Sequence, residues 1–509
     1  MAESTRSVII IGAGVAGLSA GCYARMNGYR THIFEMHTIP GGLCTSWTRQ
    51  GYTVNGCIHW LVGSAPTSPF YRLWEEVGAV QGKEFRYAEE FSRYETEDGR
   101  LLRYPTDLDA LEEHWLEWAP EDAEPIREFV GAARRLTHFQ QPLDKPPKLY
   151  GPVDGIRILR QMAPYMGLMR RWTALSLADF AARLKNGSLR DLLLRAWYPS
   201  FSLFFLLMTM AWIHHREAGY PLGGSLEFAR SIERRYRDLG GEITYRARVR
   251  RILVQNDRAV GVELEEGSQH FADAVISAAD GYTTIFGMLE GRYADDRIRR
   301  LYEMPLFPPL VFVALGVRRT FDDLPHLVVG LDIPVKRPIR VGPQEEKRLL
   351  VHPYNFDPTL APPGKTVLTV LFNTDYGYWK RLYETPQEYR SEKARIAEGV
   401  VAALEDRFPG LAASVEMTDV ATPVTFERYT GNWRASFEGW LLTPQNANIR
   451  APQTLPGLKN FYMAGHWTMP GGGLPTALIT ARWAVQMMCH RDGRKFVTIN
   501  GIHHTIRET

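Results

Sequence analysis

Four cysteines in 509 residues are too few for a disulfide framework. No two of Cys22, Cys44, Cys57 and Cys489 stand in a C-x-x-C or metal-ligand spacing. Reduced, mostly buried thiols in a cytosolic protein are the expectation, with no metal. An excess of one charge is also missing: 60 Lys+Arg against 57 Asp+Glu leaves +3, too even a balance for a nucleic-acid binder. Repeats and low-complexity tracts are absent. Met1 to Ser7 is polar, so no secretory signal peptide is expected. One stretch resembles a membrane span, the uncharged Trp197–Ile213. It has only 17 residues and is interrupted by Pro199, Ser200, Ser202 and Thr209. It is expected to form the buried wall of an apolar pocket. No Ser-His-Asp set and no carboxylate pair is visible.

What the chain has is glycine in a meaningful order. Val8-Ile9-Ile10-Ile11 is a β-branched run suited to a strand buried on both faces. Gly12-Ala13-Gly14-Val15-Ala16-Gly17 follows at once, then a helical pattern from Leu18 to Asn27 that Gly28 ends. The strand Thr31–Phe34 then closes on Glu35. This is the dinucleotide-binding βαβ fingerprint. Gly12 makes the tight turn, Gly14 admits a pyrophosphate, and Gly17 brings helix close to strand. The helix N-terminus attracts the phosphate charge. Glu35 suits ribose hydroxyls and would repel a 2′-phosphate.

At 509 residues the chain exceeds one hydrophobic core, so several domains are expected. Residues 51–60 alternate like a strand. Residues 86–219 read as helical and apolar, and Ser225 is placed to cap a helix over Leu226–Leu239. Strands are expected at 243–245, 249–255, 259–264 and 274–280, then at 311–317 and 367–371, with a helix over 391–407. The last unit joins Asn460–Trp467, Pro470–Pro475 and a helix over 476–489.

Four blocks carry a family resemblance: the fingerprint through Glu35 to Gly41-Gly42, Gly56–Gly63, Tyr220-Pro221-Leu222-Gly223-Gly224, and Asn460–Pro475. The chain resembles the flavin oxidoreductases that include phytoene desaturases, carotenoid isomerases and retinol saturases. The resemblance implies an α/β fold: a discontinuous Rossmann-type FAD-binding domain (1–85, 220–290, 445–509) with an inserted α+β substrate domain (86–219, 291–444). It implies FAD. Gly12, Gly14 and Gly17 would hold the pyrophosphate and Glu35 the ribose, with Gly41-Gly42 beside the ribityl chain. Val249 would meet the adenine side, and Gly465, Gly472, Gly473 and Leu474 the flavin. Many relatives carry an acid after the glycine at 465; here His466 stands in its place.

The expected activity is desaturation, saturation or isomerisation of an apolar polyene or isoprenoid substrate. His59 and His466 are the candidate catalytic groups near the flavin. His214-His215 is expected to be a solvated helix end and Asp280 a helix cap. Two other classes remain open, a flavin amine oxidase and a non-catalytic FAD-containing lipid-binding protein. The first lacks support after Gly465, where its G-E-x-T-like continuation is missing. The Met- and Arg-rich stretch Ile156–Trp172 fits a helix resting on a membrane surface, making the protein peripheral, a mobile lid, or an ordinary helix packed on the core.

Overall fold

The computed structural model describes residues 5–498; Met1–Ser4 of the polar opening and residues 499–509 lie outside it. The β-branched run forms the strand Ser7–Ile11, with Val8 to Ile11 almost fully buried. It is the middle strand of a five-stranded parallel sheet. The order is Glu242–Thr244, Arg30–Phe34, Ser7–Ile11, Ala274–Ser277, Phe461–Met463. Three distant stretches of chain therefore build one sheet. The helix Val15–Met26 begins three residues before the expected Leu18, because Gly14 already serves as its N-cap. It packs between the sheet and the final helix, Gly473–Arg491.

A second sheet of seven strands forms the other half. Its order is Val415–Ala421, Leu310–Val317, Thr366–Asn373, Gln344–Pro353, Leu327–Val341, Glu90–Glu95, Leu101–Pro105. Residues 86–219 are thus not helical throughout, since the last two strands come from that segment. Glu90–Glu95 pairs in parallel with Leu327–Val341, at Leu331 opposite Arg93 and Asp332 opposite Tyr94.

Two further expectations are corrected. The strand over 51–60 stops at Asn55. There the Asn55 amide donates to the Ile58 carbonyl while its oxygen accepts from the Ser225 amide and hydroxyl, and the Ser225 hydroxyl accepts from the Ile58 N–H. These bonds fold 56–60 into a loop. They also use the hydroxyl expected to cap the next helix, which runs Gly224–Asp238 with a left-handed Gly223 at its start. No helix among the described residues is long and apolar enough to cross a membrane. The helix inside the uncharged stretch, Leu203–His214, is buried on most sides.

Candidate active site

One cavity of about 990 Å³ runs from the parallel sheet to the seven-stranded sheet. Its first part is a cradle lined by Gly12, Gly14, Glu35, Gly41, Gly42, Val249, Gly465, Gly472, Gly473 and Leu474. Gly17 does not reach the cavity. A Cβ there would stand 1.9 Å from the Gly12 carbonyl oxygen, so its role is to let the helix touch the glycine turn. Gly14 differs: a Cβ would meet only the Gly41 oxygen, at 3.8 Å, and would otherwise project into the cradle. The Gly41 N–H donates to the Ala13 carbonyl at 2.9 Å, tying the two glycine turns together. The Glu35 carboxylate is buried and fixed, accepting from Ala13 N–H at 2.6 Å and His37 N–H at 2.7 Å. Burial pushes its carboxyl up and those amides oppose it; each oxygen keeps a lone pair for a ribose hydroxyl. The cradle thus offers open glycine backbone, a helix N-terminus and an anchored carboxylate, the donor set an FAD molecule requires.

At the far side of the cradle, Gly472 adopts a φ of +56°, and a Cβ there would meet the Glu438 carbonyl oxygen at 2.4 Å. This close approach seats the start of the final helix against the 437–440 loop. His466 lines the same space, and its buried Nε2 has no hydrogen-bond partner among the described residues. Burial pulls the imidazole down to about 4, so His466 is neutral at pH 7 and can act there only through hydrogen bonding, not as a cation. Glu438, with no sequence signal beyond its aromatic neighbours, also lines the cavity, and burial pushes its carboxyl up to about 8. A carboxyl raised in the folded state makes stability fall as pH rises from the ordinary carboxylate value through about 8. Glu438→Gln is therefore expected to raise the melting temperature at pH 8.5 and to leave it nearly unchanged at pH 5, as read by thermal scans at both values.

Beyond the cradle lies an aromatic chamber. Trp60, Trp197, Tyr198, Phe201, Phe204, Phe205, Met208 and Trp212 line it, the last four from the Leu203–His214 helix and Phe201 from its entry. Its floor is the seven-stranded sheet, through Phe312, Leu371, Leu350 and His352. His59 lies on the wall with its ring centroid 4.8 Å from that of His352. Burial pulls His59 down to about 4 and His352 well below the usual imidazole range, so both are neutral. His352 is 2% exposed, and neither of its ring nitrogens has a hydrogen-bond partner among the described residues. The sequence marks His352-Pro353 only as the head of a further stretch of family similarity and gives the histidine no role, because a lone His before Pro353 looks like any strand residue.

His214 sits outside the site, at a helix end, accepting from the Leu108 N–H at 3.2 Å and facing Asp107 at 3.3 Å. Asp280 borders the cavity, but its oxygens accept the N–H groups of Thr283 and Trp433, a capping role.

The family described as flavin-containing amine oxidoreductase matches residues 15–489. A lycopene-forming phytoene desaturase from a Paracoccus strain is 25% identical, over 95% of this chain and 97% of its own. A chloroplastic prolycopene isomerase from Arabidopsis thaliana is 22% identical, over 96% and 83%. Among solved structures, an oxidoreductase from Methanosarcina mazei superposes with a TM-score of 0.59 at 16% identity, covering 94% of this chain and all of its own. Cyclohexylamine oxidase from Brevibacterium oxydans gives 0.57 at 15% identity, covering 96% of this chain and all of its own. FAD is the cofactor that the cradle is built for, and the chain belongs to the flavin-containing amine oxidoreductase family.

Proposed function

We propose that this FAD-dependent oxidoreductase acts on a long, apolar, unsaturated chain, a carotenoid, retinoid or other isoprenoid lipid. It would desaturate, saturate or isomerise carbon–carbon double bonds. The observation that carries this reading is the continuity of cradle and chamber: the glycine-rich end opens directly into a space walled by aromatic side chains. Relatives named as carotenoid desaturases and isomerases support it. Bound flavin supplies hydride exchange at its N5. Gly12, Gly14 and Gly41-Gly42 hold the phosphates and ribityl chain, and Glu35 holds the ribose. Trp60 and Trp197, with ring centroids 5.7 Å apart, exclude water and orient a flat polyene. His59, neutral and on the chamber wall, offers a polar group on the substrate side, and His466 one beside the flavin loop.

Holoprotein mixed anaerobically with phytoene or poly-cis lycopene in liposomes is expected to change the flavin or polyene spectrum, while putrescine changes nothing. The reverse result would assign an amine oxidase, and silence with all three a lipid-binding protein. His59→Ala is expected to lower turnover roughly tenfold or more with FAD retained. His466→Ala is expected instead to shift FAD affinity or midpoint potential; equilibrium dialysis and dye-coupled potentiometry separate the two.

The chamber mouth bears on substrate delivery. The helix Pro152–Met162 buries none of its residues; Val153 is 80%, Ile156 56% and Leu159 60% exposed, and nearby Met166 53%. Met162 and Met169 of the same stretch line the cavity. A lipid surface is the occupant this face suits, with exposed Arg160 and Arg170 alongside it for anionic headgroups. Ile156→Asp with Leu159→Asp is expected to weaken liposome partitioning by more than roughly tenfold, since each side chain carries about 1.5–3 kcal/mol of burial. Co-sedimentation measures it, and unchanged partitioning removes this face from the membrane contact.

A further inference from the structure

The chamber does not stay apolar along its length. Successive residues of one face of the Gln344–Pro353 strand, His352, Leu350, Arg348 and Glu346, all line the cavity. At about 3.3 Å of rise per residue, Glu346 lies roughly 20 Å from His352. At that end Arg195 also reaches the cavity. Its Nε donates to Asp332, a carboxylate 2% exposed that also accepts from the Nε of Arg348. Arg348 spends its remaining donors on Glu97 and the Glu95 carbonyl, and its guanidinium lies 3.9 Å over the Tyr94 ring. Arg195 is arranged otherwise. Asp332 fixes it through one nitrogen, and its two terminal amino groups have no acceptor among the described residues. Beside it, Glu346 forms no ion pair among the described residues, and burial pushes its carboxyl up despite the pull of Arg195.

A pure hydrocarbon would leave these donors facing alkyl chain, at the expense of their hydration. We propose that Arg195 forms an end-group subsite, and that the substrate is an isoprenoid or polyene with a carboxylate at its terminus, rather than a hydrocarbon. Arg195 presents its terminal fork to the two carboxylate oxygens, the planar pairing that guanidinium groups favour. Arg348, held by Asp332, Glu97 and Glu95, supports the wall without being available to the ligand. The apolar chamber takes the chain and places its interior double bonds toward His59 and His352. This inference rests on the polyene reading above and narrows it.

Retinoic acid and methyl retinoate share a chain and differ in the charged end. Their binding to the holoprotein at pH 7, followed by quenching of the chamber tryptophans, tests the proposal without needing turnover. The acid is expected to bind at least roughly tenfold more tightly, as a charge-assisted bidentate pair implies. Arg195→Met is expected to erase the difference, whereas Arg195→Lys, which keeps Asp332 paired, is expected to retain part of it. Equal affinities in the unmodified protein overturn the subsite, whatever the variants do, and so does a preference that survives Arg195→Met. Binding of neither compound, nor of β-carotene as the hydrocarbon control, overturns the polyene reading itself.

Discussion

Gly14→Val is expected to yield a folded, colourless protein. Gly14 has a φ of −67°, which valine adopts without strain, and a Cβ there has only the Gly41 oxygen nearby, at 3.8 Å. The added methyls stand where the pyrophosphate must lie. The flavin absorbance should vanish and added FAD should no longer raise the melting temperature, while the apo form melts close to the unmodified apoprotein. Gly17→Ala should behave in the opposite way. Its Cβ would be driven onto the Gly12 oxygen at 1.9 Å, so the helix must move off the strand at a cost of about 1–3 kcal/mol or more. The two glycines sit three residues apart in one motif, yet one reports on cofactor and the other on packing. Thermal scans with and without FAD separate them, and a Gly14→Val protein that stays yellow would falsify the cradle assignment.

The second large effect is expected at Asp332. Its carboxylate bridges Arg195 and Arg348 between the Leu327–Val341 and Gln344–Pro353 strands and the helix Gly187–Ala196. Asp332→Ala leaves two guanidinium groups without their shared partner, that of Arg348 largely buried and that of Arg195 partly so. Removing one member of such a group costs about 3–5 kcal/mol, mostly because the remaining charges are stranded. A fall in the urea midpoint without a change in slope is the expected record. Replacing Arg348 together with Asp332 by apolar residues should recover part of the loss, which a double-mutant cycle measures.

Local patterns in the chain were legible where neighbours in sequence are neighbours in space. The strand, glycine turn, helix and second strand of residues 7–34 emerge within a residue or three of expectation, since β-branched runs and Gly28 act locally. The strands Leu310–Val317 and Thr366–Asn373 were visible for the same reason. The hairpin of Leu327–Val341 with Gln344–Pro353 was not. Pro334 and Pro338 interrupt its first strand, and its second carries charges at Glu345, Glu346, Lys347 and Arg348. Glu90–Glu95 was hidden because Glu90, Arg93 and Glu95 break its apolar pattern, and only one of its two partners, Leu101–Pro105, is local while the other lies more than 230 residues away. The glycines of the site could be read from spacing, whereas Glu438, His352 and the Arg195–Asp332–Arg348 set could not. Their significance lies in what surrounds them, and those surroundings come from segments far apart in the chain.

The order in which the parallel sheet acquires its strands governs when the protein can be made functional. Its fifth strand, Phe461–Met463, and the helix start at Gly473 are made about 450 residues after Gly12, yet they complete the cradle begun there. A nascent chain cannot enclose flavin until the segment after Gly465 has been made, so the cradle closes only after the rest of the parallel sheet exists. During that interval the aromatic chamber and its floor, all within residues 60–421, stand without the closing helix, and contacts spanning more than 400 residues, such as Glu76 with Arg482, must still form. Flavin supply and chaperone protection during this late step, more than the rate of translation, should therefore set the yield of active protein.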